Sequence, residues 1–523
     1  MTKNLIMKSL PMVASVLGRK YGVKVEIGGE GAYTDGNTIH LPALPLDCDE
    51  TLIGMARGFL DHEAAHIRAT RFDLLLAANL TPLEKHVWNT FEDWRVEHRL
   101  ARLFPGCRTN FNWLIQHLFG NDTEKATDPA MAILNWLLLS VRSWDVPSLS
   151  GQRDQVGAFV EAEYPGLIAR LNLVLQKVHA CCESTQECIL YAQEVVSILK
   201  EKSLPKPQLN GSLKAEETAK NGLPDGYPSV TSQHRLEKLI EAQQDDLPYD
   251  LGEELAANLR KETPQDQSEA LRVAQIGTKV AKPIPPEDEA VTKQASRALR
   301  TQLQGLMQSS VLTRNTVGRH GQLDARQLHR LAVANPRVFT RKGRKVAVNT
   351  AVHILLDCSG SMRRRIKLTT QVCHAVATAL NSINGINVGV TAFPAGVPLG
   401  DDKSKGPTVC PILEHGDRMH SDFAVTATGC TPLGESLWWV LQQLQSLLES
   451  RKIVLILTDG DPDSSNVALE AIKDGKRFGV EIYGLGIMSE AITKLLPHHS
   501  RTINDLSELA PAMFGLLRGA LIK

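Results

Sequence analysis

Four short apolar runs in the last third of the 523-residue chain restrict its fold more than any other feature. Turn residues bound each run, and helical stretches at 366–382, 433–450 and 465–478 separate them. The runs are AVHILLD (351–357), INVGVTAF (386–393), KIVLILTDG (452–460) and VEIYGLGI (480–487). Buried strands that alternate with helices are typical of a parallel sheet covered by helices on both faces. We therefore predict that residues 346–523 form a doubly wound, Rossmann-like α/β domain.

Oxygen-bearing side chains follow the ends of these predicted strands. Asp357 ends the first strand, Ser359 and Ser361 follow in the same loop, Thr431 precedes a predicted helix, and Asp459 follows a later strand. Ligands of such sheets bind beyond the carboxyl ends of the strands, and carboxylate and hydroxyl oxygens suit Mg²⁺. The alternative is a set of unrelated helix caps and turns, where aspartate and serine are common.

The same five residues resemble the metal-ion-dependent adhesion site of von Willebrand factor A domains. The resemblance covers about 346–523. It implies that a bound Mg²⁺ keeps one coordination position open for a carboxylate of a partner or client protein. The implied activity is cation-dependent protein binding, with the metal as a docking point rather than a catalyst.

A second metal pattern lies near the amino terminus. The stretch GFLDHEAAHIR (58–68) contains His62-Glu63-x-x-His66. On a helix the two histidines lie one turn apart on the same face, so both can bind one Zn²⁺ while Glu63 activates a water molecule. A chain with 16 histidines can also contain this pattern by chance, so the pattern alone only suggests a zinc site.

The next predicted helix offers a third zinc ligand. It spans TPLEKHVWNTFEDWRVEHRL (81–100), begins with a capping box, and carries polar residues beside an apolar stripe. Asp93 is the first candidate for the third ligand and Glu92 is the second. An acidic face exposed to solvent is the alternative.

Alternating residues before the zinc pattern, YGVKVEIGGEGAYTDGNTIHLP (21–42), predict the strands of a small sheet. Sheet, motif helix and acidic helix in this order resemble the compact zincin-like metallopeptidases, which implies an α+β domain with Glu63 as the catalytic residue. If Glu92 were the ligand, Val96 would stand where the best-known zincins carry an aspartate. Zinc binding is therefore better supported than peptidase activity.

Composition divides the chain into three predicted segments. Residues 1–200 form a zincin-like, mostly helical domain, and residues 346–523 form the α/β domain. Residues 201–345 contain few aromatic residues and many Pro, Gln, Lys and Glu residues, which predicts a charged, low-complexity linker with helical arms such as 287–307.

Charge and cysteine usage narrow the cellular setting. The 58 Lys and Arg residues balance the 58 Asp and Glu residues, which excludes a global attraction to nucleic acid. The locally basic stretch 314–345 is interpreted as a solvated linker or as a surface that binds an acidic partner, and nucleic-acid binding is not expected. Nine cysteines without a C-x-x-C pair favour reduced thiols, and no run approaches the ~18 apolar residues of a membrane span. We expect a cytoplasmic protein.

Four stretches taken together resemble the T subunit of cobaltochelatase and its relatives. They are HEAAHIR (62–68), NTFEDWRVE (89–97), GQLDARQLHRL (321–331) and LLDCSGSM (355–362). The resemblance implies an adaptor subunit in cobalamin biosynthesis that works with a MoxR-type AAA+ ATPase in a ring-shaped hetero-oligomer, for client remodelling or metal insertion.

The sequence contains no G-x-x-x-x-G-K-[ST] loop, so ATP hydrolysis by a P-loop would have to come from a partner. Two alternatives remain open. One is a zinc metallopeptidase whose A domain recruits substrates, and the other is a non-enzymatic adhesion module.

Overall fold

The computed structural model describes residues 10–204 apart from 30, 35, 47 and 121–127, residues 230–311 apart from 265–269, short pieces between 316 and 341, and residues 349–521 apart from 400–405. Residues 1–9, most of the basic stretch 314–345 and most of GQLDARQLHRL (321–331) lie outside the described residues. Within the described ranges, no helix has both the length and the hydropathy needed to cross a bilayer.

The first part of the chain is a helical region with a small mixed sheet. Helix α1 (Leu10–Tyr21) precedes β1 (Lys24–Gly29), β2 (Tyr33–Thr34), β3 (Thr38–Pro42) and β4 (Leu44–Pro45). Residues 21–42 contain the strands of a small sheet, as their alternating pattern predicts, and in it β3 pairs in parallel with β1 and antiparallel with β2. The helices that follow are α2 (Glu50–Ala69), α3 (Phe72–Ala78), α4 (Pro82–Leu103), α5 (Pro105–Phe119), α6 (Pro129–Arg142), α7 (Ser150–Glu163), α8 (Leu167–Cys181) and α9 (Thr185–Ser203).

Helices α2 and α4 pack against each other and place their polar motifs inside the molecule. Asp49 caps α2, and the predicted capping box between Thr81 and Glu84 starts α4. Between residues 58 and 66 of α2, every residue except Glu63 is buried. Gly58 permits this burial, because a β-carbon there would lie 2.8 Å from Leu114 of α5.

The middle of the chain supplies short elements. They are α10 (Val230–Ile240), α11 (Leu251–Lys261), β5 (Ala270–Leu271), β6 (Gln275–Ile276), β7 (Lys282–Pro283), α12 (Pro286–Val311), β8 (Thr316–Gly318), β9 (Gln322–Leu323) and β10 (Phe339–Arg341). The predicted helical arm at 287–307 therefore falls within α12. Strands β8, β9 and β10 form a three-stranded antiparallel sheet.

The last part of the chain is built on one sheet with helices on both faces. The strands in this part of the chain are β11 (Thr350–Asp357), β12 (Ile386–Phe393), β13 (Thr408–Leu413), β14 (Asp422–Ala424), β15 (Arg451–Thr458), β16 (Val480–Ile487) and β17 (Ser500–Ile503). Of these, β14 lies outside the main sheet and pairs with β7. The helices in this part are α13 (Ile366–Asn381), α14 (Leu433–Gln445), α15 (Ser465–Arg477), α16 (Ala491–Leu495) and α17 (Leu509–Leu521). The seven strands of the sheet lie in the order β17-β16-β15-β11-β12-β13-β6. The predicted doubly wound α/β architecture is confirmed.

Two strands of this sheet depart from the predicted parallel pattern. β13 runs antiparallel to β12, and β6 joins the sheet from the middle of the chain. The stretch from β5 to α12 (270–311), called the connecting stretch below, also bonds to the first part of the chain. β5 pairs with β4, and Val273 N donates to Ile27 O at 2.9 Å. The division at residues 200 and 345 stays a prediction, but the connecting stretch lies against both neighbouring segments.

Candidate metal centres

Asp357 lies at the carboxyl end of the central strand β11 and is fully buried. Its Oδ1 accepts a hydrogen bond from Ser359 N at 2.8 Å, and its Oδ2 accepts one from Thr458 Oγ1 at 2.5 Å. Burial raises the pKa of Asp357 to about 6, although these hydrogen bonds oppose the rise. A nearby cation would stabilise the ionised form of such a buried carboxylate.

A chain of hydrogen bonds connects both serines to the second aspartate. Ser359 Oγ lies 2.9 Å from Ser361 Oγ, and Ser361 Oγ donates to Asp459 Oδ1 at 2.8 Å. Asp459 directly follows β15, the neighbour of β11 in the sheet. The sheet therefore brings Asp459 to three other predicted ligands, Asp357, Ser359 and Ser361, although Asp459 follows Ser361 by 98 residues.

The loop that carries Thr431 is held against the serine loop by backbone hydrogen bonds. Gly360 N donates to Gly429 O at 2.9 Å, and Thr428 N donates to Cys358 O at 2.8 Å. Thr431 is 7% exposed. Two carboxylates and three hydroxyls at one sheet edge form an all-oxygen donor set that fits Mg²⁺ better than a metal that prefers sulfur or imidazole.

Arg365 brings a positive charge to this centre that was not predicted. Its Nη1 donates to Asp459 Oδ2 at 2.6 Å, and the Asp459 side chain is 0% exposed. The arginine follows Ser361 by one helical turn, in a run of three arginines at 363–365. That run was a visible signal that a basic side chain would lie beside the predicted metal.

The first half of the chain contains a second centre. One ligand atom each from His62, His66 and Asp93 lie within 4.8 Å of one another. The Nε2 atom of His66 is 3.2 Å from Asp93 Oδ1. The residues come from α2 and α4, as the spacing of the two motifs predicts, and two imidazoles with one carboxylate are a donor set that fits Zn²⁺.

A buried network orients these side chains. His62 Nδ1 donates to Glu97 Oε1 at 2.9 Å, which leaves its Nε2 for another partner. Arg142 donates to Glu97 Oε2 at 2.6 Å and to Asp93 Oδ2 at 3.2 Å, while His66 Nδ1 lies 3.0 Å from Thr70 Oγ1. Carboxylates that bind the far nitrogen of a histidine commonly fix metal ligands in this way.

The electrostatics of this centre favour a cation. Burial by itself would lower the pKa of His62, but the hydrogen bond with Glu97 and the carboxylates of Asp93 and Glu63 raise the pKa to about 9. For Asp93, burial by itself would raise the pKa. Its hydrogen bond with His66 and the charge of Arg142 nevertheless hold that pKa below its ordinary value. The surplus of negative charge attracts a proton, and it would attract a metal ion for the same reason.

Glu92, the second candidate for the third ligand, has other partners. Arg95 Nη2 donates to Glu92 Oε1 at 2.5 Å, and Thr70 and Thr185 donate to the same oxygen at 2.9 Å. The structure therefore brings Asp93, and not Glu92, to the two histidines. Whether these residues bind zinc stays a prediction.

Models of two known protein families match the two regions of the chain that contain the candidate metal centres. Residues 6–143 match the family model of the cobalamin biosynthesis protein CobT, and residues 351–510 match that of the von Willebrand factor type A domain. The chain joins a CobT-type region to an A domain. No curated protein matches it.

Several solved structures are similar to about a third of this chain. Manganese-loaded TRAP protein from Plasmodium vivax is 16% identical and the match covers 33% of this chain and 73% of that one, with a TM-score of 0.26. The Mfa5 pilus-tip domain from Porphyromonas gingivalis is 11% identical over 34% and 96% of the two chains, with a TM-score of 0.26. The mussel byssus protein PTMP1 with a zinc-occupied adhesion motif is 19% identical over 34% and 48%, with a TM-score of 0.23. The match spans about half of the mussel protein, and these likenesses carry no inference about function.

Glu63, the predicted catalytic residue of the CobT-type region, is half-buried beside His62. The position of a β-carbon on Gly252 lies 3.4 Å from Glu63 Oε1 and 3.3 Å from His62 Nε2. Near them, burial and the charge of Asp93 raise the pKa of Asp250 to about 6. Four carboxylates, those of Glu63, Asp93, Glu97 and Asp250, thus surround the two histidines of the CobT-type region.

The sequence does not show locally that several residues belong to the CobT-type centre. Glu97 lies in the polar stripe of α4, but its contact with His62 depends on how two helices pack. Arg142 ends an apolar helix, and Asp250 belongs to the middle segment. Both reach the centre only through tertiary packing, which spacing along one helix cannot reveal.

Proposed function

We propose that the chain is a non-ATPase subunit of cobaltochelatase type, which binds a partner protein through a divalent cation in its A domain. One observation carries this proposal. In a chain with a CobT-type region, the sheet brings the Asp357, Ser359, Ser361 and Asp459 side chains together beside the Thr431 loop.

The surface around this centre suits an acidic partner. Ser361 is exposed, and Arg363 and Arg364 follow it as exposed residues. Mg²⁺ held by these oxygens would supply a positive charge that accepts a carboxylate of the partner, and the arginines would attract further acidic groups. The chain's own residues hold the cation and shape the docking surface.

The proposed partner is a MoxR-type AAA+ ATPase in a ring-shaped hetero-oligomer. The support is the CobT-type match together with a sequence that lacks a Walker-type phosphate loop in all 523 residues. The ATPase would supply the energy, and the A domain would connect it to a client during remodelling or metal insertion.

For the CobT-type region we propose a zinc site formed by His62, His66 and Asp93. Zinc peptidase activity is the second candidate function, because Glu63 lies next to His62 as a general base would. Glu63→Gln would abolish peptide cleavage and leave partner binding intact, so the two functions can be measured separately.

The test of the main proposal is Mg²⁺-dependent capture of a purified MoxR-type ATPase by the full chain. We expect binding with Mg²⁺, loss of binding with EDTA, and loss in Asp357→Ala. Asp417→Ala, at the exposed turn after β13, is the matched control and should bind normally. Binding that persists in EDTA and in Asp357→Ala would refute a cation-dependent contact.

A further inference from the structure

The three proposed zinc ligands lie inside the molecule and not in an open cleft. His62, His66 and Asp93 are only 2%, 8% and 2% exposed. A catalytic zinc site keeps one coordination position open to water or substrate, whereas a structural site closes that position with a fourth protein donor. The residues that cover the centre therefore decide which kind of site it is.

The covering residues come from the middle of the chain. A β-carbon on Gly252 would lie 3.3 Å from His62 Nε2, 3.4 Å from Glu63 Oε1 and 3.5 Å from Asp250 Oδ1. These three polar atoms thus surround one small space beside the Gly252 backbone. Glycine is the residue that leaves this space unfilled.

Asp250 is held in place from two directions. Its Oδ1 accepts a hydrogen bond from Glu253 N at 2.7 Å, as the N-cap of α11, and its Oδ2 accepts one from Asn89 Nδ2 at 2.8 Å. Asn89 lies on α4, one turn before Asp93. The helix that carries a proposed zinc ligand therefore also positions the Asp250 carboxylate.

Three leucines hold α11 over the centre. Leu251, Leu255 and Leu259 are 3%, 0% and 0% exposed, and they belong to the same apolar cluster as Phe59 and Leu60, which precede His62 on α2. The cover is thus part of the hydrophobic core. It is not a loosely attached segment.

We propose that Asp250 is a further cation-binding residue of this centre and that α11 closes it. This inference rests on the zinc site of the proposed function. His62, His66 and Asp93 bind the cation, and Asp250 approaches it from the side of His62 Nε2, where the His62 and Asp250 side chains border the space at Gly252. The centre then stabilises the fold, and a peptide substrate reaches Glu63 only after α11 moves away.

Asp250→Asn in the full chain tests the role of the carboxylate charge. Asparagine keeps the N-cap and an acceptor oxygen, so the helix should be preserved. Zn²⁺ affinity is measured by competition with a chromophoric chelator, and the absorption spectrum of bound Co²⁺ reports the coordination geometry. We expect roughly tenfold to hundredfold weaker Zn²⁺ binding and an altered Co²⁺ spectrum.

Asp128→Asn is the matched control, because Asp128 caps α6 at the end opposite Arg142. It should bind both metals as the wild type does. Equal Zn²⁺ affinity in Asp250→Asn and wild type would overturn the role of Asp250. A wild-type chain that binds no Zn²⁺ would overturn the zinc site itself, and with it this inference.

The rate of Zn²⁺ release into excess EDTA tests the cover. Leu255→Ala should loosen α11 and release Zn²⁺ at least about tenfold faster, while Leu171→Ala, an equally buried leucine in a separate cluster, should release it at the wild-type rate. Gly252→Val should also speed release, because its side chain would meet His62, and it leaves the leucines intact. Wild-type release rates in both α11 variants would overturn the closure.

Discussion

The Asp459 carboxylate accepts hydrogen bonds from both Ser361 and Arg365. A metal ion bound by Asp459 would therefore share this carboxylate with a guanidinium only 2.6 Å away. Repulsion between the two positive charges opposes metal binding. We therefore expect Arg365 to lower the affinity of the centre for a metal ion, and the run of arginines at 363–365 is the one local sequence signal of such a role.

We predict that Arg365→Gln strengthens Mg²⁺ binding by roughly threefold to tenfold, or about 1 kcal/mol, because it removes the competing charge. Isothermal titration calorimetry of the full chain measures the effect. Arg364→Gln removes the same charge from an exposed neighbour and should change the affinity much less. Unchanged or weaker binding in Arg365→Gln would mean that the guanidinium supports the site by positioning Asp459.

Helices α14 and α15 touch at a glycine just after Thr431. A β-carbon on Gly434 would lie 2.7 Å from the Val467 backbone carbon and 2.8 Å from Ala468 N. Because backbone atoms cannot rotate away, the helices would have to separate. Nearby, Thr431 N donates to Asp463 at 2.8 Å, so the same helix contact also holds one loop of the metal centre.

We predict that Gly434→Ala destabilises the chain by roughly 1–3 kcal/mol through overpacking. Thermal or urea unfolding of the full chain measures this change. Gly151→Ala provides the control, because Gly151 is helical with no atom within 4 Å of an added β-carbon, and this substitution should be neutral or slightly stabilising. Equal stability of the two variants would show that α15 can move without cost.

Local sequence pattern was sufficient for most elements of the A domain. INVGVTAF and VEIYGLGI coincide with β12 and β16, because apolar runs between turn residues are local signals. The local sequence pattern did not predict β6, because this two-residue strand has no apolar run of its own. The same limit applies to the metal centres: motif spacing pointed to His62 and His66, but Arg142 reaches Asp93 only through the packing of α6 on α4.

At the scale of the whole molecule, the connecting stretch contacts both the CobT-type region and the A domain. β6 adds a strand beside β13, and Ile284, Leu299 and Leu303 are buried in the apolar cluster of the A domain. The composition of residues 201–345, which include few aromatic residues, predicts a linker. Several of the described apolar residues in this segment, including Leu255, Leu299 and Leu303, are nevertheless buried, because they pack on neighbouring parts of the chain.

We predict that a fragment of residues 346–523 is less stable than a fragment of residues 270–523. The shorter fragment exposes the edge of β13 and the surface that Leu299 and Leu303 cover. Differential scanning calorimetry should show a lower Tm for it, and a dye that binds exposed apolar surface should fluoresce more strongly. Equal Tm and equal dye binding would place the domain boundary at 346, as composition alone suggests.

The cover of the CobT-type centre also has a consequence for biosynthesis. Arg142 and all residues of the centre before it leave the ribosome about a hundred residues ahead of Leu251, where α11 begins. At roughly 5–20 residues per second, this interval lasts on the order of ten seconds. Before α11 is made, the histidines would lack this proposed cover, and metal acquired then would become enclosed once α11 has packed. The metal content of the mature protein would record the ions available at synthesis.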